Sequence, residues 1–144
     1  VGEVNSMLNK HSGLLAISGI SSDVREVQDA MLEGDRNAAL AYDMYEYRIR
    51  KCIGSYAAAM NGLDVIVFTA GVGENSYMLR ERICSQLTFF GVELDKEANS
   101  AKNRGDRLIS TPNSKVAVFV IPTNEELVIA RDTHRLIANG AASE

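Results

Sequence analysis

The sequence predicts an α/β fold with an incomplete, partly parallel sheet flanked by helices. Three observations carry that expectation. Two runs, "LDVIVFT" (Leu63–Thr69) and "KVAVFVIP" (Lys115–Pro122), are continuous, apolar and β-branched, the pattern of strands covered on both faces. Segments of helical period precede, separate and follow them. A strand, a crossover helix and a second strand run parallel and right-handed. Two strands alone make a poor sheet. The remaining strands are therefore expected upstream of Val1, where the chain starts without methionine and inside a helical pattern (Val4, Met7, Leu8).

Each element has its own signal. Asn5–Lys10 reads as the end of a helix, and "GLLAISGI" (Gly13–Ile20) as a short apolar or extended segment broken by Gly19. "SSDVREVQDAMLEG" opens a short helix capped by Ser22 or Asp23 and stopped by Gly34. Ala38, Tyr42, Tyr45, Ile49, Cys52, Ile53, Tyr56 and Met60 form one apolar stripe on a long helix, with Asp43, Glu46, Arg50 and Lys51 on its outer side. Asn61-Gly62 ends it. After the first strand a helix is expected from about Asn75 to Leu87, with Leu79, Ile83 and Leu87 inward. "FFGVELD" and "DRLISTP" read as short extended pieces around a polar helix or loop, 96–105. "TNEELVIARDTHRLIA" is the final helix.

Length and composition bound the function. The 144 residues fit one domain. With 46% hydrophobic and 24% charged residues the chain is not of the disordered class. A formal net charge of -4, with both signs dispersed, leaves no nucleic-acid footprint. No apolar run reaches the roughly 20 residues that cross a bilayer, so no membrane partner is expected. Cys52 and Cys84, far apart and without a CxxC, read as two reduced thiols of a cytoplasmic protein. With His11 and His134 they show no metal-ligand spacing.

Three stretches carry candidate chemistry. In "TAGVGENS", Gly71 and Gly73 follow a buried strand and open a helix. That is where parallel sheets bind ligands, and glycine permits positive φ and close approach to the backbone. Asn75 is placed to cap the helix or to bond a ligand. The position of a third dinucleotide-fingerprint glycine is Ser76, and no lysine follows as in a phosphate loop. A plain tight turn and a ligand cradle both remain open on spacing alone. In "TNEEL", Thr123 and Glu126 have capping-box spacing, which leaves Glu125 as a spare carboxylate for Mg²⁺ or for dipole stabilisation. In "SSDVRE", Asp23 caps, or Asp23 and Arg25 together grip a ribose hydroxyl and stack on a base.

Together, "LNKHSGLLAISGISSDVRE", "VFTAGVGENS" and "VIPTNEELVIARDT" resemble the acetate kinase family in type, order and separation, over nearly the whole chain. The superfamily also holds sugar kinases, actin and heat-shock chaperone ATPases. Small departures are His11 where lysine is usual, Val72 where isoleucine is common, and Val24 where a larger side chain is frequent. The resemblance implies a partial ribonuclease-H-like, actin-like ATPase domain. Residues 1–144 would be the C-terminal part of the second such domain, with upstream sequence missing. It implies that Asp23, Val24 and Arg25 contact adenosine and that Gly71, Val72, Gly73, Glu74 and Asn75 form the ATP-binding loop. Glu125 matches the carboxylate tied to the Mg²⁺ site, and is preferred to Glu126 because the capping box occupies the latter. The activity implied is reversible phosphoryl transfer between ATP and acetate, giving ADP and acetyl phosphate, by a protein that is a homodimer when full length. The family's catalytic residues match nothing in these 144 residues, so a piece inactive alone is expected. Competing readings are a stand-alone nucleotide-binding or interaction module and a dinucleotide-binding oxidoreductase domain. The incomplete sheet should also leave an edge or apolar face open.

Overall fold

Strands β1 (Val65–Phe68) and β3 (Ala117–Val120) pair in parallel, with Val65 opposite Ala117 and Phe68 opposite Val120. A third strand, β2 (Arg107–Leu108), joins β3 antiparallel, giving the order β1-β3-β2. The structure is a computed structural model that describes residues 1–102 and 105–140; Glu125, Asn139 and Gly140 are described by their backbone alone.

The helices among the described residues are α1 (Gly2–Lys10), α2 (Leu14–Ser18), α3 (Val24–Leu32), α4 (Arg36–Met60), α5 (Ala70–Asn75), α6 (Tyr77–Cys84), α7 (Lys96–Ser100) and α8 (Glu125–Gly140), and α3, α4 and α6 cover one face of this sheet. Ile66, Phe68, Val118 and Val120 point into a core shared with Val27 of α3, Ala38, Ala41 and Tyr42 of α4, and Leu79 and Ile83 of α6. The other face carries Val65, Val67 and Leu108, each close to half exposed. Continuous apolar strands had led to an expectation of burial on both faces. The structure instead buries alternate residues, and the expected open apolar face is Val65, Val67 and Leu108. The final helix also keeps Val128, Ile129, Leu136 and Ile137 exposed.

Local signals explain most boundaries. Asp23 caps α3 through the Arg25 N–H, and Asp35 caps α4 through the Ala38 N–H. Asn61 ends α4 in the left-handed conformation, at φ 59°, where asparagine is tolerated. Gly13–Ile20 is helical rather than extended over α2, between left-handed Gly13 and Gly19, because a short apolar run fits a helix packed on α4 equally well. One helix was expected from Asn75 to Leu87. Ser76 breaks it: its hydroxyl accepts from the Leu79 N–H and starts α6. "FFGVELD" contains a 3-10 turn at Thr88–Phe90 and only an isolated bridge between Leu94 and Ser110.

Two expectations about α4 fail. Cys52, Tyr56 and Met60 end the apolar stripe but are exposed, while towards that end of α4 it is Ile53 and Ala57 that turn inward. Glu46 is not on the outer side. It is buried, pairs with Arg50 at 3.3 Å and accepts from Arg82, whose guanidinium also binds Asp43. The 3.6-residue period placed it outside, yet α6 approaches α4 along that flank.

One-face burial has a measurable consequence. Ile83→Ala, in the closed core, is expected to lower unfolding stability by about 2–5 kcal/mol. Val67→Ala, on the open face, is expected to cost less than about 1 kcal/mol. Urea unfolding of the two variants, compared at equal m-value, checks the difference.

Candidate functional site

Parallel pairing delivers both strand exits to one end of the sheet. The Ile121 N–H donates to the Phe68 carbonyl at 3.0 Å, so Thr69 and Pro122 leave side by side. After β1 the chain reverses at Ala70, which sits in the left-handed region at φ 59°. The sequence had suggested Gly71 and Gly73 for that conformation. Neither adopts positive φ; both lie within α5. Their bareness serves other ends. A Cβ on Gly73 would stand 3.3 Å from the Phe68 carbonyl carbon, so glycine there lets α5 pack on the strand end. A Cβ on Gly71 would meet nothing within 4 Å, because that residue borders open clefts on both sides.

The larger cleft, of about 700 Å³, is built from segments far apart in sequence. One wall is Ser22, Asp23, Val24 and Arg25 at the start of α3. A second wall is Gly71, Val72, Asn75, Ser76, Tyr77 and Met78, and Leu14, Gln28 and Tyr45 complete the lining. Its volume suits a nucleoside-sized ligand. On the first wall Asp23 and Arg25 form a fork: the guanidinium Nε donates to Oδ1 at 3.0 Å and Nη2 to Oδ2 at 2.5 Å. The side-chain bond from Arg25, then its backbone N–H, holds the Asp23 carboxyl down at about 2, against 3.8 ordinarily. Val24 is buried in the core behind the pair. On the second wall Asn75 caps neither helix: its Nδ2 donates to the Gly71 carbonyl at 2.7 Å and closes the turn on itself.

Sequence reading missed the group that joins the walls. Gln28 Oε1 accepts from Tyr42 Oη and from Ser76 Oγ, each at 3.0 Å. An amide one turn beyond Val24, on the inward side of α3, is the signal that could have shown it. Arg80 was missed too. It is buried, and donates to the Gly73 and Glu74 carbonyls behind the turn. Beside it on α6 is Cys84, whose thiol burial pushes up to about 12.

Glu74 faces away from the large cleft. Its Oε1 accepts from the Thr123 N–H at 3.0 Å and the Thr123 hydroxyl at 3.3 Å, strapping the first loop to the second. The expected Thr123–Glu126 capping box does not form. Asn124 Oδ1 takes the Leu127 N–H at 3.0 Å, since Thr123 is already held by Glu74. Glu126 is thereby free of that role. It lines a smaller cleft of about 420 Å³ with Gly71, Glu74, Thr123 and Asn124. The side chain of Glu125 lies outside the described residues, so its preference over Glu126 rests on resemblance alone. No cluster of three or more histidines, cysteines or acids occurs among the described residues. The smaller cleft is nonetheless walled by oxygen donors, the kind that Mg²⁺ takes through one or two carboxylates and substrate phosphates.

The acetokinase family profile matches residues 1–131. This chain belongs to the acetokinase family. It is 57% identical over 139 residues to the acetate kinase of Symbiobacterium thermophilum, covering 96% of this chain and 35% of that protein. The crystal structure of Porphyromonas gingivalis acetate kinase superposes with a TM-score of 0.84 at 47% identity, covering 95% of this chain and 34% of that one. A propionate kinase from Francisella tularensis matches with a TM-score of 0.80 at 42% identity, covering 90% of this chain and 33% of that one. This chain spans about a third of the length of the curated relatives it matches. Its three-stranded sheet and helices are thus a part of a known α/β kinase fold.

The Asp23–Arg25 fork makes a pH prediction. The carboxyl is depressed in the folded chain, so its contribution to stability is present above 3.8 and fades as pH falls towards about 2. A carboxyl NMR titration should find the Asp23 midpoint near 2, moving part of the way back to 3.8 in Arg25→Ala, where the backbone N–H bond persists.

Proposed function

We propose that the chain forms the adenosine-binding part of a kinase that moves a phosphoryl group reversibly between ATP and acetate, yielding ADP and acetyl phosphate. One observation carries the reading. The Asp23–Arg25 fork and the Gly71–Asn75 turn, matched separately to the family's nucleotide motifs, line one cleft of nucleoside size.

The roles follow from chemistry. Asp23 accepts from a ribose hydroxyl while Arg25 lays a planar cation against the base. Val24 and Val72 give apolar contact, and the bare backbone at Gly71 admits the first phosphate. Gly73 and Glu74 set the shape of the turn, and Asn75 locks it. Glu125, next in sequence to Glu126 of the smaller cleft, would supply carboxylate to Mg²⁺, which would neutralise phosphate charge when bound. In the longer protein, taken to be a cytoplasmic homodimer, acetate and the groups that position it come from other parts of the sequence. Phosphoryl transfer depends on positioning and charge neutralisation, and half a site provides neither in full.

Calorimetry of the 144-residue chain with ADP, ATP and NAD tests this. Binding of both adenine mononucleotides, weakened roughly tenfold in Asp23→Ala, is expected, the scale of a lost charged hydrogen bond. Preference for NAD would overturn it. The same chain is expected to give no acetyl phosphate turnover; turnover at a normal kinase rate would show that the catalytic groups are present after all.

A further inference from the structure

Arg80 heads the largest fully buried side chains, at 1% exposure, and it carries a charge. Its partners among the described residues are all neutral oxygens. Nη1 donates to the carbonyls of Gly73 at 2.7 Å and Glu74 at 2.9 Å. Nε donates to Asn99 Oδ1 and Nη2 to the Asn99 carbonyl, both at 2.7 Å. Asn99, itself 1% exposed, fixes the pair by donating from Nδ2 to the Tyr77 carbonyl at 2.9 Å. Arg107 adds a longer bond to the Glu74 carbonyl at 3.3 Å.

Burying a cation without an opposite charge is unfavourable. Burial, and then Arg107, depress the guanidinium to about 10. An apolar side chain there would leave the Gly73 and Glu74 carbonyls and both Asn99 oxygens without these bonds. What arginine offers is a rigid fork that meets two consecutive carbonyls on one side and an amide on the other. The two carbonyls are specific in place. They belong to the last turn of the six-residue α5, where intrahelical partners run out. Residues flanking them on the same turn, Gly71, Val72 and Asn75, line the large cleft.

The geometry points to Arg80 as a positioning residue of the nucleotide site: seated on Asn99, it holds the Gly73 and Glu74 carbonyls and so keeps the Gly71–Asn75 turn in the shape that lines the cleft. The inference rests on the nucleotide reading proposed above. Arg80 does not line that cleft; it lowers the cost of ordering the turn on binding. A second consequence is that Asn99, which does not itself line the cleft, belongs to the same device.

The test compares the full chain with Arg80→Lys, which keeps the charge but not the fork, and Asn99→Ala, which removes the seat. ADP affinity is measured by calorimetry and backbone amide exchange by NMR. Both variants are expected to bind ADP roughly tenfold more weakly, the scale of one charge-assisted hydrogen bond. Exchange should quicken at 70–76 and stay unchanged at Val118 and Val120. ADP affinity within about twofold of the parent in both folded variants would overturn the role. Exchange rising equally in the turn and in β3 would also overturn it, since that marks general loosening. If the unsubstituted chain takes up no ADP, the nucleotide reading itself fails, a result distinct from weak variants beside a binding parent.

Discussion

Phe68 stands opposite Val120 in a parallel ladder, and the geometry of both clefts depends on that pairing. Parallel direction brings Thr69 and Pro122 out at one end of the sheet. Antiparallel direction would have sent the two loops to opposite ends. Register matters as much as direction. A slip of one residue would turn Ile66, Phe68, Val118 and Val120 away from the helices and present their neighbours instead. The side-by-side exits are then tied by the Ile121 N–H to the Phe68 carbonyl, and further out by Glu74 to Thr123. Helices α3 and α4 enter the same arrangement through the Gln28 amide oxygen, which joins Tyr42 to Ser76.

Polar groups at the centre of the domain act as spacers between elements. Glu46 lies between Arg50 and Arg82 and joins α4 to α6. Arg80 and Asn99 join α6 to α7 and to the turn after β1. Buried charges of this sort add little net stability over apolar replacements, but losing one partner is costly because the other stays buried. They specify which helix faces which, while apolar burial supplies most of the cohesion. The side of the sheet bearing Val65, Val67 and Leu108 has no such spacers among the described residues, and those three side chains stay close to half exposed.

The two strands, the long helix and the capped start of α3 were legible because each rests on local chemistry: β-branched runs, a 3.6-residue period, and an aspartate before an apolar helix. The pairing of Asp23 with Arg25 was legible as a candidate for the same reason. What local chemistry could not reveal was partnership across the chain. Glu46 looks solvated until α6 brings Arg82 to it. Thr123 looks like a cap until Glu74, 49 residues earlier, takes its N–H and leaves Asn124 to do the capping. The glycines of "TAGVGENS" announced a bare backbone correctly, but their reason is contact and openness, while the left-handed turn falls on Ala70. Of the residues that resemblance to a family singled out, Asp23, Val24, Arg25, Gly71, Val72 and Asn75 meet at one cleft; the resemblance offered no signal for Gln28, which lines that cleft, or for Arg80, which lies behind the turn.

The two cysteines end up chemically unequal. Reactivity belongs to the thiolate. Cys84, with its thiol raised to about 12, is protonated at any physiological pH and sealed beside Arg80. Cys52 is exposed on the outward side of α4, outside both cleft linings. These 144 residues therefore carry a single addressable thiol. A thiol-reactive fluorophore or spin label placed there would report on the motion of α4 without an engineered residue, and without disturbing the turn that the other cysteine lies behind.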